Sequence, residues 1–216
     1  MVNPDLESGV LRQVFIVTPG TRNWASGGPY GGHTRYLAIN PENPQIVYVT
    51  VDNAGLFRTE NGGETWEEIF YSPDGYNTVR LSKNNPNSVY FSAADALYRS
   101  DQQGDPGSWV KIPYPVGISG SVPRVLQVAP GPQDILYGAF YYNVFYSQDG
   151  GVTWKDISVD HLGDNKVLAV DFQHPDIAYL AYKTLGTVYR TSNAGNSWTK
   201  LASNKGIGTG SLVLRR

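Results

Sequence analysis

Between Arg35 and Phe70 the chain carries four short segments of strand character, Arg35 to Asn40, Ile46 to Val51, Gly55 to Thr59 and Thr65 to Phe70. Within them apolar and polar residues alternate, and Pro, Asn, Asp and Gly stand between them. Period-two alternation sends successive side chains to opposite faces of a sheet, so each segment predicts a β-strand and none a helix. Pro41-Glu-Asn-Pro44 makes the first turn. The same order, an alternating strand, a Pro turn, a β-branched strand ending near Tyr, a third strand and a strand opened by Trp, returns three times. It does so at Asn84-Asn-Pro86-Asn before Val89-Tyr90, at Pro130-Gly-Pro132-Gln before Leu136-Tyr137, and at His174-Pro175-Asp before Ala178-Tyr179.

A second marker keeps the same beat. Trp24, Trp66, Trp109, Trp154 and Trp198 are separated by 42, 43, 45 and 44 residues. Three of them close one phrase, [ST]-x-[DN]-x-G-x-[ST]-W: Thr59-Glu-Asn61-Gly-Gly63-Glu-Thr65-Trp66, Ser147-Gln-Asp149-Gly-Gly151-Val-Thr153-Trp154 and Thr191-Ser-Asn193-Ala-Gly195-Asn-Ser197-Trp198. The copy at Ser100 to Trp109 departs, with Gln102 at the acid position and two extra residues, so its hairpin tip is expected to protrude.

A four-stranded repeat of this length predicts an all-β chain folded as a β-propeller of antiparallel blades, because a lone sheet of four strands cannot bury both faces and a ring of blades can. The whole chain, 1–216, reads as one such domain. Its blades fall at about 25–70, 71–113, 114–158 and 159–202, and a closing fifth blade is shared between 1–24 and 206–216. Phe15 precedes Trp24 by the same nine residues that separate Phe57 from Trp66, and Ser211 to Arg216 falls where the next inner strand is due.

Composition narrows the classes of partner. Lys plus Arg is 17 and Asp plus Glu 19, for a net charge of −2 without runs of like charge, which gives no footprint for nucleic acid. No cysteine is present, so disulfides and thiolate chemistry are excluded. No stretch is apolar for long enough to insert in a membrane, and Met1-Val-Asn-Pro-Asp-Leu-Glu has no signal-peptide character. His33, His161 and His174 form no metal or triad pattern, so neither metal nor cofactor is expected.

The phrase ending in Trp resembles the Asp-box, or BNR, repeat of sialidases, xyloglucanase-type glycoside hydrolases, sortilin-like receptors and a photosystem II assembly factor. The resemblance implies a propeller scaffold and an extracytoplasmic setting, and it leaves activity open, since these families do different things with one box. In the box, Asp or Asn accepts turn amides, Gly takes positive φ, Ser or Thr bonds locally and Trp packs between sheets, with up to about 5 kcal/mol per tryptophan on full burial. Thr59, Asn61, Gly63, Trp66, Ser147, Asp149, Gly151, Trp154, Thr191, Asn193, Gly195 and Trp198 are therefore assigned to structure.

Ligands are then expected on the opposite face, where second strands meet third and blades are joined. Its loops carry Tyr30, His33, Tyr76, Asp95, Tyr141, Tyr142 and His161. Arg35, Arg124 and Lys166 share one register, nine residues before Pro44, Gln133 and Pro175, with Asn77 in the second repeat, and are expected to ring the channel mouth. These residues suit a protein or glycan partner, through stacking and hydrogen bonds, with self-association as a further possibility. A sialidase would need an arginine triad, and here one member is Lys. Tyr48-Val-Thr-Val-Asp52-Asn-Ala-Gly55-Leu-Phe57 is similar to the segment where xyloglucanase-type enzymes place a catalytic Asp, which makes Asp52 the one candidate catalytic residue. Inversion at a glycosidic bond needs a second acid, and in that family a second propeller supplies it. A non-catalytic binding or structural propeller is the first expectation; a glycoside hydrolase module built on Asp52 is the alternative.

Overall fold

In a computed structural model, residues 32–118, 122–159, 166–182 and 186–203 are described. They form sixteen strands and no helix, in four antiparallel sheets. The first contains β1 (Thr34–Ile39), β2 (Val47–Val51), β3 (Gly55–Thr59) and β4 (Glu67–Tyr71), and the second β5 (Val79–Leu81), β6 (Val89–Ser92), β7 (Leu97–Ser100) and β8 (Val110–Ile112). The third has β9 (Val125–Ala129), β10 (Ile135–Ala139), β11 (Val144–Ser147) and β12 (Lys155–Asp156), and the fourth β13 (Lys166–Val170), β14 (Ala178–Tyr182), β15 (Thr187–Thr191) and β16 (Thr199–Ser203). Strands pair in sequence order within each sheet, and β1 lies beside β5, β5 beside β9 and β9 beside β13. The sheets thus stand side by side with their first strands innermost. The four strands read from the first repeat lie within two residues of those observed; the fourth begins after Trp66 rather than with it.

The connectors between third and fourth strands share one hydrogen-bond scheme. In the first sheet the Thr59 hydroxyl accepts the Gly63 amide at 2.9 Å, and Asn61 Oδ1 accepts the Thr65 amide at 2.9 Å. Ser147 with Gly151 and Asp149 with Thr153 repeat this in the third sheet, as do Thr191 with Gly195 and Asn193 with Ser197 in the fourth. The glycines need their freedom: Gly63, Gly151 and Gly195 have φ of 101°, 96° and 79°. In the second sheet Ser100 still accepts the Gly104 amide, but its tip does not stand free. The Gln103 main-chain oxygen accepts hydrogen bonds from Arg58 Nη1 and the Tyr48 hydroxyl, and Asp105 Oδ1 accepts Arg58 Nη1 at 2.7 Å, so the two extra residues fold onto the first sheet. Arg58 is a buried cation in need of those partners, and the expected protrusion gives way to that demand.

The aromatic core also differs from expectation. Tyr48, Tyr90, Tyr137 and Tyr182, from the second strand of each sheet, are fully buried, whereas Trp66, Trp109, Trp154 and Trp198 are half-buried at the seams. A half-buried indole contributes correspondingly less than the full-burial figure. Three of the tyrosines send their hydroxyls to the next sheet, Tyr48 to Gln103 O, Tyr90 to Asp134 Oδ2 and Tyr137 to Pro175 O, whereas Tyr182 donates to Val159 O, ahead of its own sheet. Trp109 and Trp198 donate the other way, to the carbonyls of Ile69 and Ile157 in the preceding sheet. Trp24 and the segments of the closing blade, 1–24 and 206–216, lie outside the described residues.

Candidate functional site

The box hairpins and Pro turns occupy one end of the sheets. At the other end the short β2–β3 turn, the β4–β5 connection and the start of β1 converge on Asp52. Its Oδ1 accepts Arg35 Nε at 2.5 Å and the Tyr76 amide at 3.4 Å, and its Oδ2 lies 3.5 Å from His33 Nδ1. The hydrogen bond from Arg35 holds the Asp52 carboxyl below the usual carboxylate range, against a smaller opposing effect of burial. The same bond pushes Arg35 up.

Tyr76 joins this pair to the third sheet. The guanidinium carbons of Arg35 and Arg124 lie 3.9 and 3.8 Å from its ring centroid, within cation–π range. The Tyr36 hydroxyl donates to the Arg124 carbonyl at 2.7 Å, closing the link from β1 to the start of β9. Tyr76 has φ of 70° and Asn53 φ of 61°. A left-handed tyrosine is strained by about 1–2 kcal/mol, and the cations against its ring, with the Asp52 acceptor on its amide, hold it there. Behind it Asp74 accepts the Ser72 hydroxyl and the Ala94 amide, and its carbonyl accepts Asn77 Nδ2 and the Asn53 amide, so two adjoining loops are fixed together.

Of the residues expected on this face, the structure therefore assembles His33, Arg35, Asp52, Tyr76 and Arg124. Asp95, Tyr141 and Tyr142 stand apart from this group. Asp95 accepts Lys111 Nζ at 2.7 Å and the Tyr98 hydroxyl at 2.9 Å, both within its own sheet, and those donors hold its carboxyl low. Tyr141 and Tyr142 pack edge to face at 4.5 Å on the β10–β11 turn, and both are exposed. Asn77, at the register of Arg35 and Arg124, is buried and cannot extend the cationic row. Lys166 opens β13, paired with Tyr182. Tyr30 and His161 lie outside the described residues. One participant carries no sequence signal: Tyr36 reads only as a strand residue. Tyr76 is expected on this face, but nothing in the loop marks it as the group between two arginines.

With one ionised carboxylate, its arginine and a tyrosine ring, the site can accept hydroxyl hydrogen bonds at Asp52 Oδ2 and present planar groups for stacking. Among the described residues no cluster of His, Asp or Glu could hold a metal ion. No helix there is long and apolar enough to cross a membrane.

Four radially ordered, four-stranded antiparallel sheets define a protein of β-propeller type. The comparisons agree: the chain superimposes on the GH74 xyloglucanase of Xanthomonas campestris with a TM-score of 0.60 at 18% identity, covering 77% of this chain and 29% of that one. It superimposes on YCF48 of Cyanidioschyzon merolae with the same TM-score at 16% identity, covering 82% and 58%. At such identities the likeness is one of fold. Among curated proteins it is similar to xyloglucanase Xgh74A of Acetivibrio thermocellus, 27% identical over an alignment of 154 residues that covers 60% of this chain and 18% of the relative. It is also similar to the oligoxyloglucan-reducing end-specific xyloglucanase of Emericella nidulans, 22% identical over 78% of this chain and 24% of the relative. The chain thus spans about a fifth of the length of these relatives. It matches no protein-family profile.

Proposed function

We propose that this chain is a binding propeller that takes a glycan on the face formed by Asp52, Arg35, Tyr76 and Arg124. The observation that carries this reading is the state of Asp52. A general base works best with a pKa near the operating pH, and a carboxylate held low by a 2.5 Å bond to Arg35 is poorly suited to take a proton from water. It is well suited to accept a sugar hydroxyl. A glycan is favoured over a protein partner by the relatives, which are xyloglucanases.

The connectors ending in Trp are read as Asp-box hairpins, supported by the Asn61, Asp149 and Asn193 acceptors. A fifth blade closing the ring is supported by β1: Tyr36 and Ala38 pack toward the second sheet, while Leu37 and Ile39 leave an exposed apolar face on the other side.

A second reading has its own support. The segment around Asp52 resembles the place of a catalytic Asp, and a chain whose match spans about a fifth of its relatives could receive its second acid from elsewhere. Calorimetric titration with xyloglucan oligosaccharides, run beside a reducing-sugar assay, separates the two. Binding without release of reducing ends, weakened by Asp52→Asn, is the expected result. Release that Asp52→Asn abolishes would establish the hydrolase reading instead.

A further inference from the structure

The seams between sheets are built from equivalent residues, and one of them is left open. The residue just before each box is Arg58, Arg99, Tyr146 or Arg190. Arg58 fills the first seam by donating to Gln103 O and Asp105 of the second sheet. At the second seam Arg99 stands over the Tyr90 ring, with Nη1 3.5 Å from where a side chain on Gly150 would begin. At the third seam Tyr146 takes the arginine's place and turns back onto Tyr137, ring centroids 5.0 Å apart.

The partner across that seam is also missing its ligands. Asp134 and Asp176 are equivalent, since the main-chain oxygen of each accepts an amide of the adjoining box, Gly150 or Ala194. The Asp134 carboxylate is buried and accepts Ser82 Oγ, Asn84 Nδ2 and the Tyr90 hydroxyl. In the third sheet the turn that would supply such donors reads Pro130-Gly-Pro132, which has no side-chain donor, and Tyr137 donates to Pro175 O instead. Asp176 is exposed, with no hydrogen-bond or ion-pair partner for its carboxylate among the described residues. The result is a crevice of about 550 Å³ between the third and fourth sheets, at the box end, lined by Tyr146, Trp154, Asp176, Gln148, Lys155 and Asn196.

We infer that this crevice is a second binding site, for a neutral oligosaccharide. Two aromatic rings offer apolar planes to sugar C–H faces. Asp176 and Gln148 offer acceptors and donors for hydroxyls, Asn196 is held in place by accepting Lys155 Nζ and donating to the Asn193 carbonyl, and the charges of Lys155 and Asp176 offset each other. The site is independent of the Asp52 face, which lies at the opposite end of the sheets. Its size is that of a small-ligand pocket.

The probe is a xyloglucan oligosaccharide added to the full chain, read by amide chemical-shift perturbation and by calorimetry. Shifts at Gly150, Thr153 and Ala194 are expected. Tyr146→Arg, which restores the residue of the other three repeats and plugs the seam, should weaken this binding at least tenfold with an unchanged melting temperature, and so should Asp176→Ala. Shifts confined to amides around Asp52 and Tyr76 would overturn the second site and leave the loop-face reading intact. Shifts confined to the box end would do the reverse. No shift at either end, or shifts at Gly150 and Ala194 that Tyr146→Arg leaves unaltered, would also overturn it.

Discussion

Removing the Asp149 carboxylate tests the account of the hairpin connectors. Asp149 accepts the Ser147 hydroxyl at 2.7 Å, the Thr153 amide at 2.9 Å and the Thr153 hydroxyl at 2.6 Å. Thr153 is exposed, so in Asp149→Ala its two donors return to water and each costs the low end of a net hydrogen bond, about 0.5 kcal/mol. Ser147 is buried, and its hydroxyl loses about 1 kcal/mol. The sum of about 2 kcal/mol corresponds to a fall in melting temperature of about 4–8 °C for a chain of this size. Asp149→Asn is the matched control, because Asn61 and Asn193 already bond in the same way, with Nδ2 donating to Thr65 and Ser197. It should melt within about 1 °C of the parent. Burial pushes the Asp149 carboxyl up, but the Thr153 and Ser147 bonds outweigh it and hold the group below the usual range. A lowered folded value means stability present above the unfolded pKa of about 3.9 and lost as pH falls through the folded one. The gap between parent and Asp149→Ala should therefore narrow below about pH 4, while Asp149→Asn stays flat. Thermal melts between pH 7 and pH 3 measure all of this. A fall under 1 °C for Asp149→Ala, or equal damage from Asn and Ala, would refute the hairpin scheme.

Gly55→Ala should cost at least about 2 kcal/mol by denaturant titration, since its φ of 112° excludes a side chain and a Cβ there would sit 2.1 Å from the Phe70 carbonyl oxygen; a neutral result would mean that β3 and β4 are spaced differently. If the ring closes through the last strand, deleting Ser211 to Arg216 should lower the melting temperature markedly, and an unchanged melt would count against five blades.

The repeating frame is legible in the sequence because two separate physical demands, a Pro turn followed by a Tyr in all four repeats and a hairpin with an Asx acceptor in three of them, recur at nearly the same spacing. What a one-dimensional pattern cannot carry is the meeting of different repeats. Register places Arg35 and Arg124 at equivalent strand starts, but that Tyr76, from the connection between their sheets, stands against both guanidinium groups depends on its left-handed backbone. Asp95 looks like a ligand-face acid until Lys111 and Tyr98 of its own sheet claim it. The tryptophans are the most visible residues in the chain, yet the buried core belongs to Tyr48, Tyr90, Tyr137 and Tyr182, whose hydroxyls find acceptors that spacing does not reveal. Asp176 and Tyr146 pass unnoticed for a related reason: each is an ordinary residue whose meaning lies in what its counterparts in the other sheets do.

The seams themselves carry a broader consequence. Tyr48, Tyr137, Trp109 and Trp198 all donate across a seam to main-chain oxygens, those of Gln103, Pro175, Ile69 and Ile157. Every residue type supplies that oxygen, so at these four contacts the acceptor sheet can change its side chain without losing the bond, unlike at Asp105 and Asp134, whose carboxylates accept from the neighbouring sheet. At such contacts mutational drift of the acceptor is decoupled from assembly, because it is the donor that must persist.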